Sequence, residues 1–293
     1  MTLSKRSRPG IFLRQVLRKL LIWLSVALEP LRARMRDNAL RRVSTASPLV
    51  DPVAGDQPPL VVLVIYRARN VRLVKELLRH VDPRADVRLW ALDEVAPELS
   101  EHTVGSGPGT RFSNLNRLYL ARPVNESAWL VVADDDVLFV RGSLAQSIRV
   151  MRQAGFSLAQ PGQSWLGWWT SLFNVAKPLL VARETDYVEQ GPLLIVEPTF
   201  VQHVFPLPDK NDMGWGVEAE WYRAKEGRFR VGVIDSCRVV HWDRSATTYP
   251  TAPEMVAMKN RLARSGVDSV WQLQRVNGYW WKWQPSPSWV QSP

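Results

Sequence analysis

The amino-acid sequence predicts an α/β protein built on a mostly parallel sheet with helices on both faces. Residues 60–66, LVVLVIY, form a continuous apolar and β-branched run, which is typical of a strand buried on both sides. From there to about residue 162, strand-like and helix-like segments alternate, as in doubly wound sheets. A second apolar run, 129–133, leads directly into three aspartates, at the strand end where such sheets bind ligands.

The remaining elements follow in chain order. Helices are predicted for NVRLVKELLRHV (70–81), SNLNRLYLARPV (113–124) and SLAQSIRVMRQAG (143–155). Strands are predicted for ADVRLWALDEV (85–95), AWLVVADDDVLFV (128–140) and FSLAQPG (156–162), with a glycine-rich loop, GSGPGTRF, between the first of these strands and the second. Beyond residue 160 the pattern is less regular until FRVGVIDSCRVVHW (229–242), which is again strand-like.

These changes of pattern predict how the chain is divided. A basic helical segment, 1–42, is followed by a linker rich in Pro, Ser and Gly, 43–59. Residues 60–160 form a nucleotide-binding type of half and residues 161–250 a second, more individual half. Residues 251–293 are a tryptophan-rich extension, which holds several of the 14 tryptophans.

The N-terminal segment is predicted to be an amphipathic helix. Apolar residues recur at helical spacing, at Leu13, Val16, Leu17, Leu20, Leu24, Ala27 and Leu28. Arg14, Arg18 and Arg32 fall towards another face. The longest uncharged run, 20–28, is far shorter than the roughly 20 residues of a spanning helix. A signal peptide would next show a cleavage site with small residues, but here large and positively charged residues follow. We expect the helix to lie on an anionic membrane surface; the alternative is packing on the protein's own body.

Charge and cysteine content restrict the partners and the compartment. The net charge is +10 and the isoelectric point about 10.1, but much of the positive charge lies within the first 42 residues. The rest is close to neutral, which argues against a nucleic-acid partner. The single cysteine, Cys237, excludes an intrachain disulfide and favours a reducing compartment. We therefore expect a cytoplasmic protein, peripheral on the membrane.

The three aspartates predict a divalent-cation site. In an extended segment Asp134 and Asp136 share one face, and Asp135 points the other way. Two converging carboxylates suit Mg²⁺ or Mn²⁺. A later predicted strand ends in His241, and an imidazole ligand would favour Mn²⁺ over Mg²⁺. The alternatives are a solvated acidic turn and a structural histidine.

The segment NDMGWGVEAEW supplies candidates for a catalytic base. Glycines on both sides of Trp215 allow a tight turn and close approach of a ligand to the ring. Glu218, Glu220 and Asp212 lie close by, and a carboxylate beside a desolvating indole can have a raised pKa and act as a base. The alternative is that Glu218 begins an exposed helix, where acids in the first turn are favourable.

Taken in order, these motifs resemble those of metal-dependent GT-A glycosyltransferases. VVADDDVLFV is similar to that family's D-x-D strand, and GWGVEAEWYR to the G-W-G-x-E acceptor segment of galactosyl- and N-acetylgalactosaminyltransferases. VGVIDSCRVVH and RQAGFSLAQPG also resemble a plant family of GT-A type whose activity is unassigned. The resemblance covers about residues 60–245. It implies that 60–160 bind a nucleotide sugar and 161–250 a glycan or glycolipid acceptor.

The resemblance also implies roles for individual residues. On the donor side it assigns Tyr66, Asn70, Asp93, Arg111, Asn114, Asp134 and Asp135. It makes Asp136 the principal metal ligand, joined by Asp134 and His241. Trp215 and Gly216 match the acceptor segment, and Trp165, Trp168 and Trp169 are further candidates for stacking on the acceptor. Many inverting members read Glu-Asp where this chain has Glu218-Ala219, so the base stays open among Glu218, Glu220 and Asp212.

Two other functions are alternatives to sugar transfer. A nucleotidyltransferase can use the same fold and metal acids, but commonly has a glycine-rich loop with a basic residue after the first strand. Here the corresponding segment, YRARN, has arginines and no glycine. A non-catalytic carbohydrate- or membrane-binding module is the third alternative, and intact Asp134, Asp136 and His241 argue against it.

Overall fold

The computed structural model describes Leu31 and residues 58–208, 213–225, 227–242 and 251–290. The chain divides into two compact units, Met1–Thr45 and Ala46–Pro293, and the second is described below. The predicted N-terminal helix, apart from Leu31, and nearly all of the predicted linker lie outside the described residues. Within the described residues, no helix is both long enough and apolar enough to cross a membrane.

The second unit alternates strands and helices in its first part, as the sequence predicts. The strands are β1 Leu60–Tyr66, β2 Asp86–Ala91, β3 Thr103–Ser106, β4 Trp129–Asp134, β5 Val137–Arg141, β6 Phe156–Gln163, β7 Leu180–Thr185, β8 Leu193–Val196, β9 Arg230–His241 and β10 Val276–Trp281. The α-helices are α1 Val71–Leu78, α2 Arg111–Leu120, α3 Leu144–Ala154, α4 Val201–Val204, α5 Val217–Lys225, α6 Thr251–Arg264 and α7 Val270–Leu273. Short 3-10 helices span Ala68–Asn70, Pro97–His102 and Pro198–Phe200.

These strands form one mixed sheet in the order β10-β7-β9-β6-β8-β4-β1-β2-β3, and β5 pairs with β9 beside this path. The group β3-β2-β1-β4 is parallel, and so is the pair β6–β9. The other pairs, including β4–β8, β7–β9 and β5–β9, are antiparallel. The predicted parallel arrangement therefore describes the first part of the chain, whereas the later strands join the sheet in both directions.

Strand β1 shows why the sheet carries a core on each face. Val62 and Val64 belong to one apolar cluster, with residues of α1 and α3. Val61 and Leu63 belong to a second cluster, with residues of α2 and α5. Alternate side chains of a strand point to opposite faces, so a continuous apolar run is what a strand between two helical layers requires.

Candidate active site

The aspartate motif lies where the chain reverses direction. The predicted single strand 128–140 is in fact two strands, because β4 ends at Asp134 and a turn at Asp135–Asp136 leads into β5. Strand β5 then runs antiparallel to β9, with Val137 opposite His241. The backbone N–H of Trp242 donates to the Asp136 carbonyl at 2.9 Å. The reversal therefore brings the end of β9 beside the aspartates, although these positions are about a hundred residues apart in sequence.

Asp134, Asp136 and His241 form a three-residue cluster that suits a divalent cation. One ligand atom from each lies within 4.8 Å of the other two. The His241 Nε2 atom is 3.1 Å from Asp136 Oδ1 and 3.8 Å from Asp134 Oδ2. Neighbouring ligands of a cation bound at about 2.1 Å lie roughly 3 Å apart, so the spacing fits. Nε2 is buried and faces Asp136 Oδ1, so the potential ligand atoms point towards one another, as those of a common cation would.

The electrostatics of the cluster also fit a cation. Burial lowers the pKa of His241, but the Asp136, Asp134 and Glu189 carboxylates outweigh it and raise the pKa to about 9. The imidazole therefore sits in a strongly negative environment, which attracts positive charge of any kind. Gly191 leaves room at this point, since a Cβ there would lie 2.7 Å from Asp134 Oδ2.

Asp135 faces away from this cluster, although it lies in the turn and not in the extended strand from which this orientation was predicted. Its Oδ2 accepts a hydrogen bond from the backbone N–H of Arg67 at 2.8 Å, and the Asn70 side chain also bonds to it. Burial, followed by the charge of Asp136, raises the pKa of Asp135 to about 6. Asp93 accepts from the backbone N–H of Ala68 at 2.9 Å. Asp135 and Asp93 thus hold the start of the 3-10 turn that follows β1.

The other predicted donor-side residues are placed unevenly. Tyr66 is fully buried, and its hydroxyl bonds to Thr103 at 3.0 Å and accepts from the backbone N–H of Ala96 at 3.2 Å. Asn114 is also buried and accepts from Arg117 at 2.9 Å. The described surface therefore does not present these two side chains to a ligand.

Arg111, at the first position of α2, reaches the cation cluster directly. Its guanidinium donates to Asp134 Oδ1 and, at 3.1 Å, to the carbonyl of Gln190. This contact leaves Oδ2 of Asp134 facing His241. A cationic side chain at this position is suited to meet a phosphate group.

The turn before α5 places Glu218 inside the protein. Gly214 and Gly216 have φ angles of 96° and 88°, which favour glycine, and the space at Gly214 is filled by Gln190 and Phe112. Glu218 is only 7% exposed, so the interpretation as an exposed first-turn acid is wrong. Burial raises its pKa to about 7, although the backbone N–H groups of Glu218 itself, Gln190 and Gly216 stabilise the carboxylate.

The other two candidate bases differ from Glu218. Glu220 is partly exposed and forms ion pairs with α6, at 3.8 Å to Arg261 and 3.4 Å to Arg264. It therefore joins two helices. Asp212 lies outside the described residues. Glu218 is connected to the cluster through Gln190, whose N–H bonds to Glu218 and whose carbonyl accepts from Arg111.

Glu189 is a buried acid of this site that the sequence analysis did not identify. It accepts from Gln163 Nε2 at 2.6 Å and from the Thr170 hydroxyl. Burial raises the pKa of Glu189, although these hydrogen bonds lower it. The charge of Glu189 in turn raises the pKa of both His241 and Glu218. The available signal was an acid just before the Gly-Pro turn that opens the apolar strand β8.

A tryptophan-rich loop lies against the end of β9. The backbone N–H of Trp168 donates to the His241 carbonyl at 2.9 Å, and a Cβ on Gly167 would lie 2.8 Å from the His241 nitrogen. Trp165 is 52% exposed and stacks on Trp169 with 5.6 Å between ring centroids. Trp215 is half-buried, and its carbonyl accepts from Arg261 at 3.0 Å. Flat apolar rings are therefore available close to the cluster.

No protein-family profile and no curated protein matches this chain. Among solved structures, it is similar to GalNAc-T7 with UDP, GalNAc and Mn²⁺, at TM-score 0.47 and 9% identity over 70% of this chain and 48% of that chain. It is also similar to S. aureus TarS in complex with UDP-GlcNAc, at TM-score 0.47 and 9% identity over 72% of this chain and 66% of that chain. A third is mannosyltransferase PcManGT from Pyrobaculum calidifontis in complex with GDP-Man and Mn²⁺, at TM-score 0.49 and 14% identity over 86% of this chain and 77% of that chain. The chain spans about half the length of the GalNAc-T7 structure, and these likenesses concern the fold alone.

Proposed function

We propose that the protein is a metal-dependent glycosyltransferase of GT-A type, which moves a sugar from a nucleotide-sugar donor to a glycan or glycolipid. The observation that carries this proposal is the convergence of Asp134, Asp136 and His241 at one sheet edge, connected through Gln190 to the buried acid Glu218. Cation ligands and a separate acid with a raised pKa are the two components that an inverting transfer uses.

Asp134, Asp136 and His241 would hold the divalent cation, and the imidazole favours Mn²⁺ over Mg²⁺. Once bound, the cation supplies Lewis-acid stabilisation of the negative charge that develops on the departing diphosphate. Arg111 lies beside Asp134 and adds positive charge for the same phosphates. Asn70, Asp93 and Asp135 remain predictions for the donor side, where Asp93 and Asp135 fix the turn after β1. Tyr66 and Asn114 also remain predictions, although both are buried in this structure.

Glu218 is the base in this proposal. The acceptor hydroxyl oxygen forms the new bond to the anomeric carbon, the bond from that carbon to the phosphate oxygen breaks, and the hydroxyl proton passes to Glu218. A pKa of about 7 suits this role, because the group is then partly ionised at neutral pH and accepts the proton readily. Trp215 and the Trp165–Trp169 pair offer surfaces on which the acceptor can stack.

The competing functions make different predictions about a donor. A nucleotidyltransferase would act on a nucleoside triphosphate. A non-catalytic module would turn over neither a nucleoside triphosphate nor a nucleotide sugar. The burial of Glu218 favours an enzyme over a non-catalytic binding module. Burying a carboxylate costs free energy, and proton transfer gives a reason for that cost whereas binding alone does not.

A panel of nucleotide sugars tests the proposal. We expect slow hydrolysis of one of them, dependent on Mn²⁺ and stopped by chelator, measured as release of the nucleoside diphosphate. Turnover of nucleoside triphosphates instead would favour the nucleotidyltransferase. Absence of metal-dependent turnover and of metal-dependent nucleotide binding would favour the non-catalytic module.

We also propose that the protein is cytoplasmic and that its N-terminal segment binds anionic membranes. A chain starting at Leu60 is expected to lose the salt-sensitive part of its binding to vesicles containing anionic lipid, because Arg14, Arg18 and Arg32 are removed. Binding of the full chain should weaken as salt rises, since these charges are screened. Co-sedimentation measures both effects, and equal salt-sensitive binding by the shortened chain would show that the segment is not the anchor.

A further inference from the structure

The end of the sheet carries an exposed row of aromatic side chains. Strand β10 is the last in the sheet order and pairs with β7. Tyr279 and Trp281 have ring centroids 5.7 Å apart, and Trp281 stacks on Trp283 at 4.8 Å with 18° between the ring planes. Trp283 is 66% exposed and Tyr279 is 44% exposed. We call Tyr279, Trp281 and Trp283 the aromatic row.

Aliphatic side chains of a neighbouring loop extend this apolar surface. The backbone N–H of Lys282 donates to the carbonyl of Leu179 at 3.1 Å, and its ammonium donates to the carbonyl of Pro178. Leu179 is 58% exposed. The Lys177 ammonium in turn donates to the carbonyl of Leu172, a further exposed leucine, at 3.2 Å. The loop at 178–179 therefore lies beside Lys282, which stands between Trp281 and Trp283 of the aromatic row.

The charges on this surface are positive. The segments AKPLLV (176–181) and VNGYWWKW (276–283) contain two lysines and no acid. The acids nearest β10 add no net negative charge, because each is paired with a basic residue: Glu184 with Arg230 at 3.7 Å and Asp186 with Lys225. Asp186 also accepts a hydrogen bond from the Asn277 side chain of β10 at 2.7 Å. Ammonium groups beside exposed Trp, Tyr and Leu are the combination that suits the anionic headgroup region of a bilayer.

A saccharide is a poorer fit to the same surface. Stacking on a sugar needs a free ring face with hydrogen-bonding side chains at its rim. Here the stacking of Trp281 on Trp283 covers one face of each ring, and the loop beside them, AKPLLV (176–181), contributes no acid or amide side chain. The interfacial region of a bilayer accommodates aromatic rings, aliphatic side chains and ammonium groups together. We propose that the aromatic row with Leu179 docks on an anionic lipid surface.

One loop connects this surface with the candidate active site. Loop residues 164–179 contain Leu179 at one end and Trp165 and Thr170 near the other, and Thr170 bonds to Glu189. The backbone N–H of Ala176 donates to the carbonyl of Gln163 at 3.0 Å, which ties the loop to β6. Docking here would hold the Leu179 end of this loop at the membrane. The proposal concerns binding and does not rest on the transferase function proposed above.

Flotation of the full chain with vesicles tests the proposal. The vesicles contain mostly phosphatidylcholine with a minority of phosphatidylglycerol, at about 0.5 M salt, where a Debye length of about 4 Å screens the basic N-terminal segment. The variant Leu179→Ser/Trp283→Ser is expected to bind about tenfold more weakly than the unchanged chain. Leu120→Ser/Trp271→Ser is the matched control, because it removes an exposed leucine and tryptophan at other places, and it should bind normally. Trp283→Phe alone should keep binding.

Three results would overturn the proposal. One is equal vesicle binding by the Leu179→Ser/Trp283→Ser variant and its control, or absence of high-salt binding by the unchanged chain. Another is a smaller particle in light scattering for this variant with vesicle binding intact, which would assign the surface to a second copy of the chain. The third is lost binding to soluble oligosaccharides with vesicle binding intact, which would assign it to a glycan. Circular dichroism confirms that both double variants are folded.

Discussion

Replacing Asp136 with asparagine is expected to weaken Mn²⁺-dependent binding of UDP and GDP by at least about a hundredfold, since even outer-shell changes at metal sites cost roughly 10–100-fold. The Asp136 carboxylate is nearly buried and faces His241 Nε2 at 3.1 Å. An amide keeps the size of the side chain but removes its negative charge, so one of the two anionic ligands is lost. Calorimetric titration of each nucleotide, with Mn²⁺ and then with chelator, measures the difference directly.

Two further variants make this prediction specific. His241→Ala should reduce binding less than Asp136→Asn, because water can replace a neutral ligand. Asp135→Asn is the matched control, since it removes the same charge one position away from a carboxylate that bonds to the Arg67 N–H at 2.8 Å instead. It should be the mildest of the three. Nucleotide binding that is unchanged by chelator would contradict the assignment of the cluster. So would weaker nucleotide binding by the Asp135 variant than by the Asp136 variant.

The first half of the fold could be predicted because its signals are local. The run 60–66 is apolar at every position, and the structure places alternate residues in the two cores. The helix 144–154 has Ser143 as its N-cap and Gly155, with φ 65°, at its C-cap. In contrast, the break at Asp135–Asp136 was hidden, because apolar residues continue from 137 to 140 as they would in one long strand.

The second half was harder to predict because its strands carry buried charge. Strand β7, LVARET, was not predicted, and its Arg183 is buried against Asp235 of β9 at 2.8 Å. Such a pair satisfies both charges inside the core, but each residue alone looks like a surface residue. The proximity of Asp134, Asp136 and His241 was predictable, since Asp134 and His241 both stand at ends of apolar strands. Glu189 was missed because its partners Gln163 and Thr170 are 26 and 19 residues away.

Replacing Glu218 with glutamine is expected to lower the rate of sugar transfer by roughly 10²–10⁴-fold, the usual contribution of a general base. Donor binding should stay nearly unchanged, because the cation cluster is intact. Glu220→Gln is the matched control and should lose little activity, since Glu220 pairs with Arg264 on α6 at 3.4 Å. Transfer rate and donor affinity, measured separately, distinguish loss of the base from loss of binding.

The pH dependence gives this prediction a second readout. Only the ionised form of Glu218 can accept a proton, so transfer should rise as pH increases through about 7 and level off above it. In Glu218→Gln this rise should disappear from the residual activity. A rise through the same pH range in the glutamine variant would assign the base to another group, and full activity would exclude Glu218 from the chemistry.

Stability provides the third readout. Loss of contacts usually destabilises a protein, whereas Glu218→Gln is expected not to destabilise this one at high pH. The pKa of Glu218 rises from 4.5 to about 7 on folding, so the folded state holds the proton more tightly. Its stability is therefore greatest below pH 4.5 and falls as pH rises to about 7, by up to about 3 kcal/mol for this group. Glutamine carries no charge, so the variant should be at least as stable as the unchanged chain at pH 8, as measured by thermal unfolding. An inactive but equally or more stable variant identifies Glu218 as a residue kept buried for catalysis, whereas an inactive variant that unfolds more easily at pH 8 would make its role structural.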